Sequence, residues 1–476
     1  MTTDSTHPGL YPALANSETD SAIASILAQI DQAQQTLTGV KGPDPDLIAS
    51  SEPCIDQFAR ERGRGLFFPV MGAGLGRGAL VAMTDGSVKY DFITGIGVHS
   101  FGHGDLDLIR TALLASMSDA VMQGNLQCNA DAAAFSALLV ESAAPDRLKH
   151  CFLTNSGALS NENALKICMQ HTGGAARVLT FEHCFAGRTT TMCQIGDSAG
   201  GRQGIPLNTD VDYLPFYDQQ DPEGSTARTI ACLDEFLRRY PSQHSCFMME
   251  LVQGEGGFNT APREFWIPLL ERAREAGVPI WFDEVQSFGR TEELFQFQAL
   301  DLAEYADVVT LGKMSQVCAT LYTEALNPKP GLLSATFIGS TAALQVGRRI
   351  IERLRSGDSY GSDGRHARLH ATFRRLAGTL LEAHPECFPS MFNPGQTADL
   401  DEIVGGTGGM MRLTPYGGEG SRVKPLIMRL LDAGVMAFTC GHGPFHLRFL
   451  PPVGVLQDAD IEAVMEIVGS VLEDES

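Results

Sequence analysis

The chain has 476 residues, 43% of them hydrophobic and 19% charged, with 50 glycines. That length predicts two or three domains around a large core, and the composition excludes a disordered, collagen-like or coiled-coil chain. Thirty-five basic against 57 acidic residues leave a formal charge of -22. Such a field argues against nucleic acid and anionic membranes as partners, so local cations must hold any anionic ligand.

Eleven cysteines are scattered with no C-x-x-C pair, which predicts no disulfide framework, no metal site and a reducing, cytoplasmic setting. Residues 1–40 contain no Lys or Arg. With no apolar run long enough to span a bilayer, the reading expects neither a secretory signal, a transit peptide nor a membrane helix.

In chain order, residues 1–20 are polar and predict a frayed or partner-wrapping arm, with a weak helical pattern near 21–37 and a Pro-rich connection over 41–53. The run GAGLGRG at 72–78 is read as a loop, because Arg77 stands where a dinucleotide-binding turn needs its last glycine. GALVAMTDGSVKYDF then has the pattern of a β-hairpin. From about 105 to 345, strand-like runs alternate with helical ones, predicting an α/β domain with a mostly parallel sheet. The expected division is an arm over 1–40, a first part of a small domain over 41–104, the large domain over 105–345, and the rest of the small domain over 346–476.

Four strand ends in the large domain carry chemistry. KHCFLTNSGALSNENALK predicts a strand at 150–154, then a Ser-Gly step opening a helix to about 171, whose free N–H groups can seat a phosphate. A second strand ends at Glu250 and, after a helix over roughly 264–276, a third ends at Asp283 and Glu284. ADVVTLGK delivers Lys313 to the same edge, where open α/β sheets bind ligands. A lysine amine, a carboxylate and a phosphate cup are what pyridoxal phosphate chemistry requires.

On these residues the chain resembles the class III aminotransferases, of the fold type I group of pyridoxal phosphate enzymes. The resemblance runs from about 60 to 470 and rests on TNSGALSNENALK, QGEGG, FDEVQSFGRT, LGK and FHLRFLPP. It implies that Lys313 forms the imine with pyridoxal 5'-phosphate and that Asp283 pairs with the pyridine nitrogen. Ser156, Gly157 and Ala158 would hold the phosphate, Phe185 would stack on the ring, Val285 would pack beneath it, and Gln286 would reach its phenolic oxygen. Thr336 would reach the phosphate of a neighbouring subunit, which implies a homodimer with shared sites.

For the substrate, Arg448 resembles the arginine that grips an α-carboxylate, Glu255 the glutamate that pairs with it when an ω-amine is bound, and Arg188 a clamp for the far carboxylate. GALSNENALK with Leu159, GKMSQVC and STAALQVGRRIIE resemble the lysine 6-aminotransferase branch, while Ala186 replaces the histidine usual in its block. The implied reaction moves the ω-amino group of a diamino or ω-amino acid, first L-lysine, to 2-oxoglutarate. A 4-aminobutyrate, ornithine or diaminobutyrate donor, or an aminomutase of the same fold, is the alternative.

Overall fold

A computed structural model describes residues 14–118 and 122–473. The described residues divide into two compact units, one built from within 114–362 and the other from 14–113 together with 363–473. The polar arm expected at the start lies outside the described residues as far as residue 13.

The large unit is organised by a seven-stranded sheet. Its strands run in the order Leu148–Thr154, Cys318–Thr323, Val308–Leu311, Ile280–Glu284, His244–Met249, Arg177–Phe181 and Val211–Leu214. All neighbours pair in parallel except Cys318–Thr323, which is antiparallel to both of its partners. The α/β class with a mostly parallel sheet is therefore as expected. The central strands HSCFMM, IWFDE and VVTL are buried at every position, the pattern of strands covered on both faces. Phe181, Phe247, Phe265 and Trp266 meet there at ring distances of 5.1 to 6.0 Å, in the tilted and edge-to-face geometry that aromatic quadrupoles favour.

One close helix packing bears on the turn that carries the candidate lysine. The helix Thr341–Ser356 lies across the short turn Lys313–Ser315 so closely that a Cβ on Gly347 would sit 2.1 Å from the Ser315 carbonyl oxygen.

The second unit holds two four-stranded sheets. In the first, Leu80–Met83 and Val88–Asp91 form the expected hairpin, with Leu80 opposite Tyr90. Two expectations are corrected here. The 41–53 connection is largely the start of a helix, Pro45–Arg62, because the Asp44 side chain accepts the Asp46 N–H and Pro45 occupies the first turn, where its missing N–H costs nothing. GAGLGRG is not a loop: Gly72–Arg77 is a strand paired irregularly with Leu80–Met83, and it leads into another strand instead of a helix.

The second sheet runs Val404–Thr407, Met410–Leu413, His446–Phe449, Phe438–Cys440, all antiparallel. No helix among the described residues is long and apolar enough to cross a membrane, and no acidic, His or Cys cluster among them is arranged to hold a metal ion.

Because backbone lies where the new methyl would go, Gly347→Ala should cost about 1–3 kcal/mol and shift the Lys313–Ser315 turn. Urea denaturation monitored by circular dichroism reads the loss as a lower midpoint at unchanged slope.

Candidate active site

The carboxyl ends of the parallel strands converge on one cavity of about 300 Å³ in the large unit. The strand Leu148–Thr154 leads through Ser156 into the helix Gly157–His171. Ser156 caps that helix by accepting the Leu159 N–H at 3.2 Å, so the first turn presents its positive end beside the cavity. Gly157 is required by close approach: a Cβ there would meet Val285 Cγ1 at 2.6 Å.

Asp283 lies near the end of the central strand and is 7% exposed. Its two oxygens accept the Val285 N–H at 2.9 Å and the Asn161 Nδ2 at 2.7 Å. Burial still pushes its carboxyl up to about 6, while these two donors and the Lys313 charge pull it back. Lys313 follows the next strand and has φ 55. A long side chain in left-handed backbone is uncommon and strained, and here the strain turns the chain sharply so that Lys313 lines the cavity before the antiparallel strand begins.

A second buried carboxyl stands beside the first. Glu250, 7% exposed, accepts the Phe185 N–H at 2.9 Å through one oxygen and the Gly254 N–H at 3.0 Å through the other. Burial, and then the nearby Asp283 charge, push it up to about 8. It ties the loop carrying Phe185 to the QGEGG turn. Glu284, the third carboxyl, is pushed up to about 7 by burial. Successive strand residues face opposite ways, and Glu284 accepts the Ser287 hydroxyl and the Phe297 N–H outside the cavity lining.

The structure thus brings Gly157, Ala158, Phe185, Arg188, Asp283, Val285, Gln286 and Lys313 to one cavity, with Ser156 at its helix cap. Arg188 is exposed, its guanidinium 5.4 Å from the Phe185 ring centre. Glu255 is half-buried in the turn that Glu250 holds, outside the cavity lining. Thr336 is not at this cavity: it is exposed, on a segment whose strand Gly339–Ser340 pairs with Met122–Gln123. Arg448 belongs to the other unit, where it is fully buried on His446–Phe449.

Sequence reasoning assigned no role to Asn161, Glu250 or Cys318, all of which line the cavity. Asn161 carried a readable signal: it falls on the buried face of its helix with Ala164, Leu165 and Cys168, where a polar residue needs a partner.

The donor set fits pyridoxal 5'-phosphate. A helix N-terminus suits the phosphate, a buried carboxylate near an amine suits the pyridine ring, and the Gln286 Oε1 is buried with no protein partner, leaving a polar group for a ring substituent.

The raised carboxyls carry a pH signature. In the unfolded chain Glu250 loses its proton near pH 4.5, but in the folded chain it holds the proton up to about pH 8. Between those values the folded state binds more protons, so stability falls as pH rises. Glu250→Gln should flatten this decline in the cofactor-free protein, read as chemical denaturation midpoints from pH 5 to pH 8.

Residues 69–369 match the family model described as aminotransferase class-III. An acetylornithine aminotransferase of Listeria innocua is 28% identical over 406 residues, covering 84% of this chain and 94% of its own. Among solved structures, a lysine aminotransferase from M. tuberculosis superposes with a TM-score of 0.75 at 21% identity, over 89% of this chain and all of that one. An ornithine aminotransferase from Toxoplasma gondii does so at 0.73 and 22%, over 88% and 96%. At those identities the two structures show a shared fold. The family match spans well over half of the sequence and takes in every cavity residue described above, and on that ground the chain belongs to the class III aminotransferases, enzymes that depend on pyridoxal phosphate.

Proposed function

We propose that this aminotransferase takes the terminal amino group of a diamino or ω-amino acid, L-lysine first, and passes it to 2-oxoglutarate to give glutamate in two half-reactions. The observation that carries the reading is Lys313 held on a strained turn within the same cavity as the buried Asp283.

Pyridoxal phosphate, when bound, supplies a carbonyl that takes up the amino group and a ring that draws electron density from the donor carbon. The N–H groups of Gly157 and Ala158, with the Ser156 cap, would hold the phosphate. Asp283 keeps a proton on the ring nitrogen, a task suited to a carboxylate near pH 6 whose ionised form is already stabilised by Val285 and Asn161. Gln286 would hold the ring's phenolic oxygen, and Phe185 and Val285 would shield the ring from water. Lys313 Nζ would bind the cofactor and, when free, would carry a proton from the donor carbon.

Arg188, which lines the cavity, would clamp a carboxylate of the acceptor, and the resemblance gives Arg448 a carboxylate-binding role. Glu255 serves as the charge that favours an ω-amine over a carboxylate. A homodimer with Thr336 completing the partner's phosphate seat is part of the reading; it is supported by the exposure of Thr336 beside the apolar Phe337 and Leu126. A reducing cytoplasmic setting is part of the reading, and eleven scattered cysteines with no C-x-x-C pair favour it.

A second reading has one observation in its favour. Relatives that align over 84% of the chain are named acetylornithine aminotransferases, so ornithine or its acetyl derivative stands as the rival donor. An aminomutase of this fold would differ in releasing no free oxo product.

Purified enzyme should be assayed with lysine, ornithine, acetylornithine, 4-aminobutyrate, diaminobutyrate and β-alanine, each with 2-oxoglutarate, by following glutamate formation. The expected outcome is that lysine has the largest kcat/KM; acetylornithine or ornithine in first place replaces it as donor. Lys313→Ala should slow the best reaction by at least about a thousandfold, and a variant turning over at the wild-type rate overturns the assignment of the lysine.

A further inference from the structure

Arg188 lines the cavity and is exposed, and among the described residues its guanidinium makes no hydrogen bond or ion pair. A long side chain without such partners surrenders rotamer freedom when it grips a ligand, and that loss weakens the grip. The structure limits the loss at both ends of the side chain.

At its root, both chain neighbours of Arg188 are fastened to the helix Gly157–His171. A Cβ on Gly187 would meet the Ala158 Cβ at 2.7 Å, and the Thr189 hydroxyl donates to Glu162 at 2.5 Å. At its tip, the guanidinium carbon lies 5.4 Å from the Phe185 ring centre, within the range of a cation–π contact. Its Nη1 lies against the short helix Ala199–Arg202, where a Cβ built on Gly201 would be 2.5 Å away.

That short helix is tied to the same loop. Asp197, just before it, donates its N–H to the Cys184 carbonyl at 3.0 Å and accepts the His183 N–H at 2.9 Å. Arg202 donates to the Gly196 carbonyl at 2.8 Å, and Ser198 Oγ accepts the Gly201 N–H at 3.3 Å. Gly201 sits in helical backbone, where alanine is the more stable residue, so the backbone does not ask for glycine here. The space taken by Arg188 does. At the adjacent Gly200, a Cβ would have nothing within 4 Å.

We propose that Gly201 is a positioning residue that sets specificity: by carrying no side chain it lets the Arg188 guanidinium rest on the Ser198–Arg202 turn, and so fixes where the cavity accepts the carboxylate of a short dicarboxylic oxo or amino acid. The inference rests on the reading of Arg188 as a carboxylate clamp and adds the residue that aims it. A methyl at Gly201 meets the far end of a flexible side chain, so the chain folds while the guanidinium is pushed off the turn. A clamp displaced by about 1 Å no longer meets both carboxylate oxygens edge to edge.

The test is the binding of glutarate, a dicarboxylate with no amino or oxo group to react, to the holoenzyme by titration calorimetry. Gly201→Ala should weaken glutarate by about tenfold, while Gly200→Ala binds it as the wild type does. In an Arg188→Ala protein, which has no guanidinium to displace, adding Gly201→Ala should cause no further loss. In turnover, Gly201→Ala should raise KM for 2-oxoglutarate and leave kcat little changed, whereas general damage to the fold lowers both the active fraction and kcat. Should Gly201→Ala fail to fold, a crystal structure of the wild-type holoenzyme with glutarate decides: a guanidinium resting on Gly201 with its free edge on a carboxylate supports the proposal, and a guanidinium elsewhere overturns it. No glutarate binding by the wild type, wild-type affinity in a folded Gly201→Ala, an equal loss in Gly200→Ala, or an undiminished loss on the Arg188→Ala background also overturns it. Each of these leaves the aminotransferase reading intact if glutamate is still formed. A protein that forms no glutamate with any donor, yet whose glutarate affinity falls with Gly201→Ala only while Arg188 is present, fails the substrate reading and keeps the positioning role.

Discussion

Asp283 has to carry a charge at a depth where burial works against it, and much of the large unit follows from that requirement. Taking a carboxylate out of water is expensive unless donors replace the water. Here the replacements are one backbone N–H and one side-chain amide, each fixed by a different element. Val285 is placed by the strand's own end, and Asn161 by the helix after the first strand. That helix is in turn held by Asn161 Nδ2 on the Ala186 carbonyl and by Thr320 Oγ1 on the Ser160 carbonyl. The carboxylate is thus a junction at which a strand, a helix and a loop must agree in position before any ligand arrives.

Glu250 works on the opposite principle. Burial raises both carboxyls; the Asp283 charge adds to the rise at Glu250, while Val285, Asn161 and Lys313 draw Asp283 back, leaving them at about 8 and about 6. The lower member is the one near Lys313. The upper one serves the backbone, joining the loop of Phe185 to the QGEGG turn. Environment, more than residue type, has divided the labour between two carboxyl groups.

How much of this could be read in the sequence depends on how local each signal is. Strand ends, the Ser156 cap and the apolar runs are properties of short segments, and they placed Asp283, Lys313 and the phosphate helix at one sheet edge. The helix Pro45–Arg62 was missed because its prolines suggest a connection, although Asp44 and Pro45 are a recognised helix start. The strand Gly72–Arg77 was missed because five of the seven positions in GAGLGRG are glycine or alanine, and it is its pairing with Leu80–Met83 that makes it a strand. Glu250 was visible as a strand end, but not its bond to the Phe185 N–H, which depends on a loop far away in sequence. The fit of Arg188 against Gly201 is a contact between separate turns, which composition does not display.

The antiparallel strand has one more consequence. The last strand of the large sheet in chain order, it lies between the first, Leu148–Thr154, and Val308–Leu311, pairing Thr154 with Cys318 across about 160 residues of intervening chain. Contacts of such separation form late, since the loop must close before the contact is rewarded. The phosphate helix leaves the ribosome early, while the lysine that faces it is made long afterwards and is useful only once the strand behind it has inserted. Cofactor capture is therefore tied to completion of the whole sheet, and a chain released before residue 323 would hold a phosphate seat without the strand that closes it.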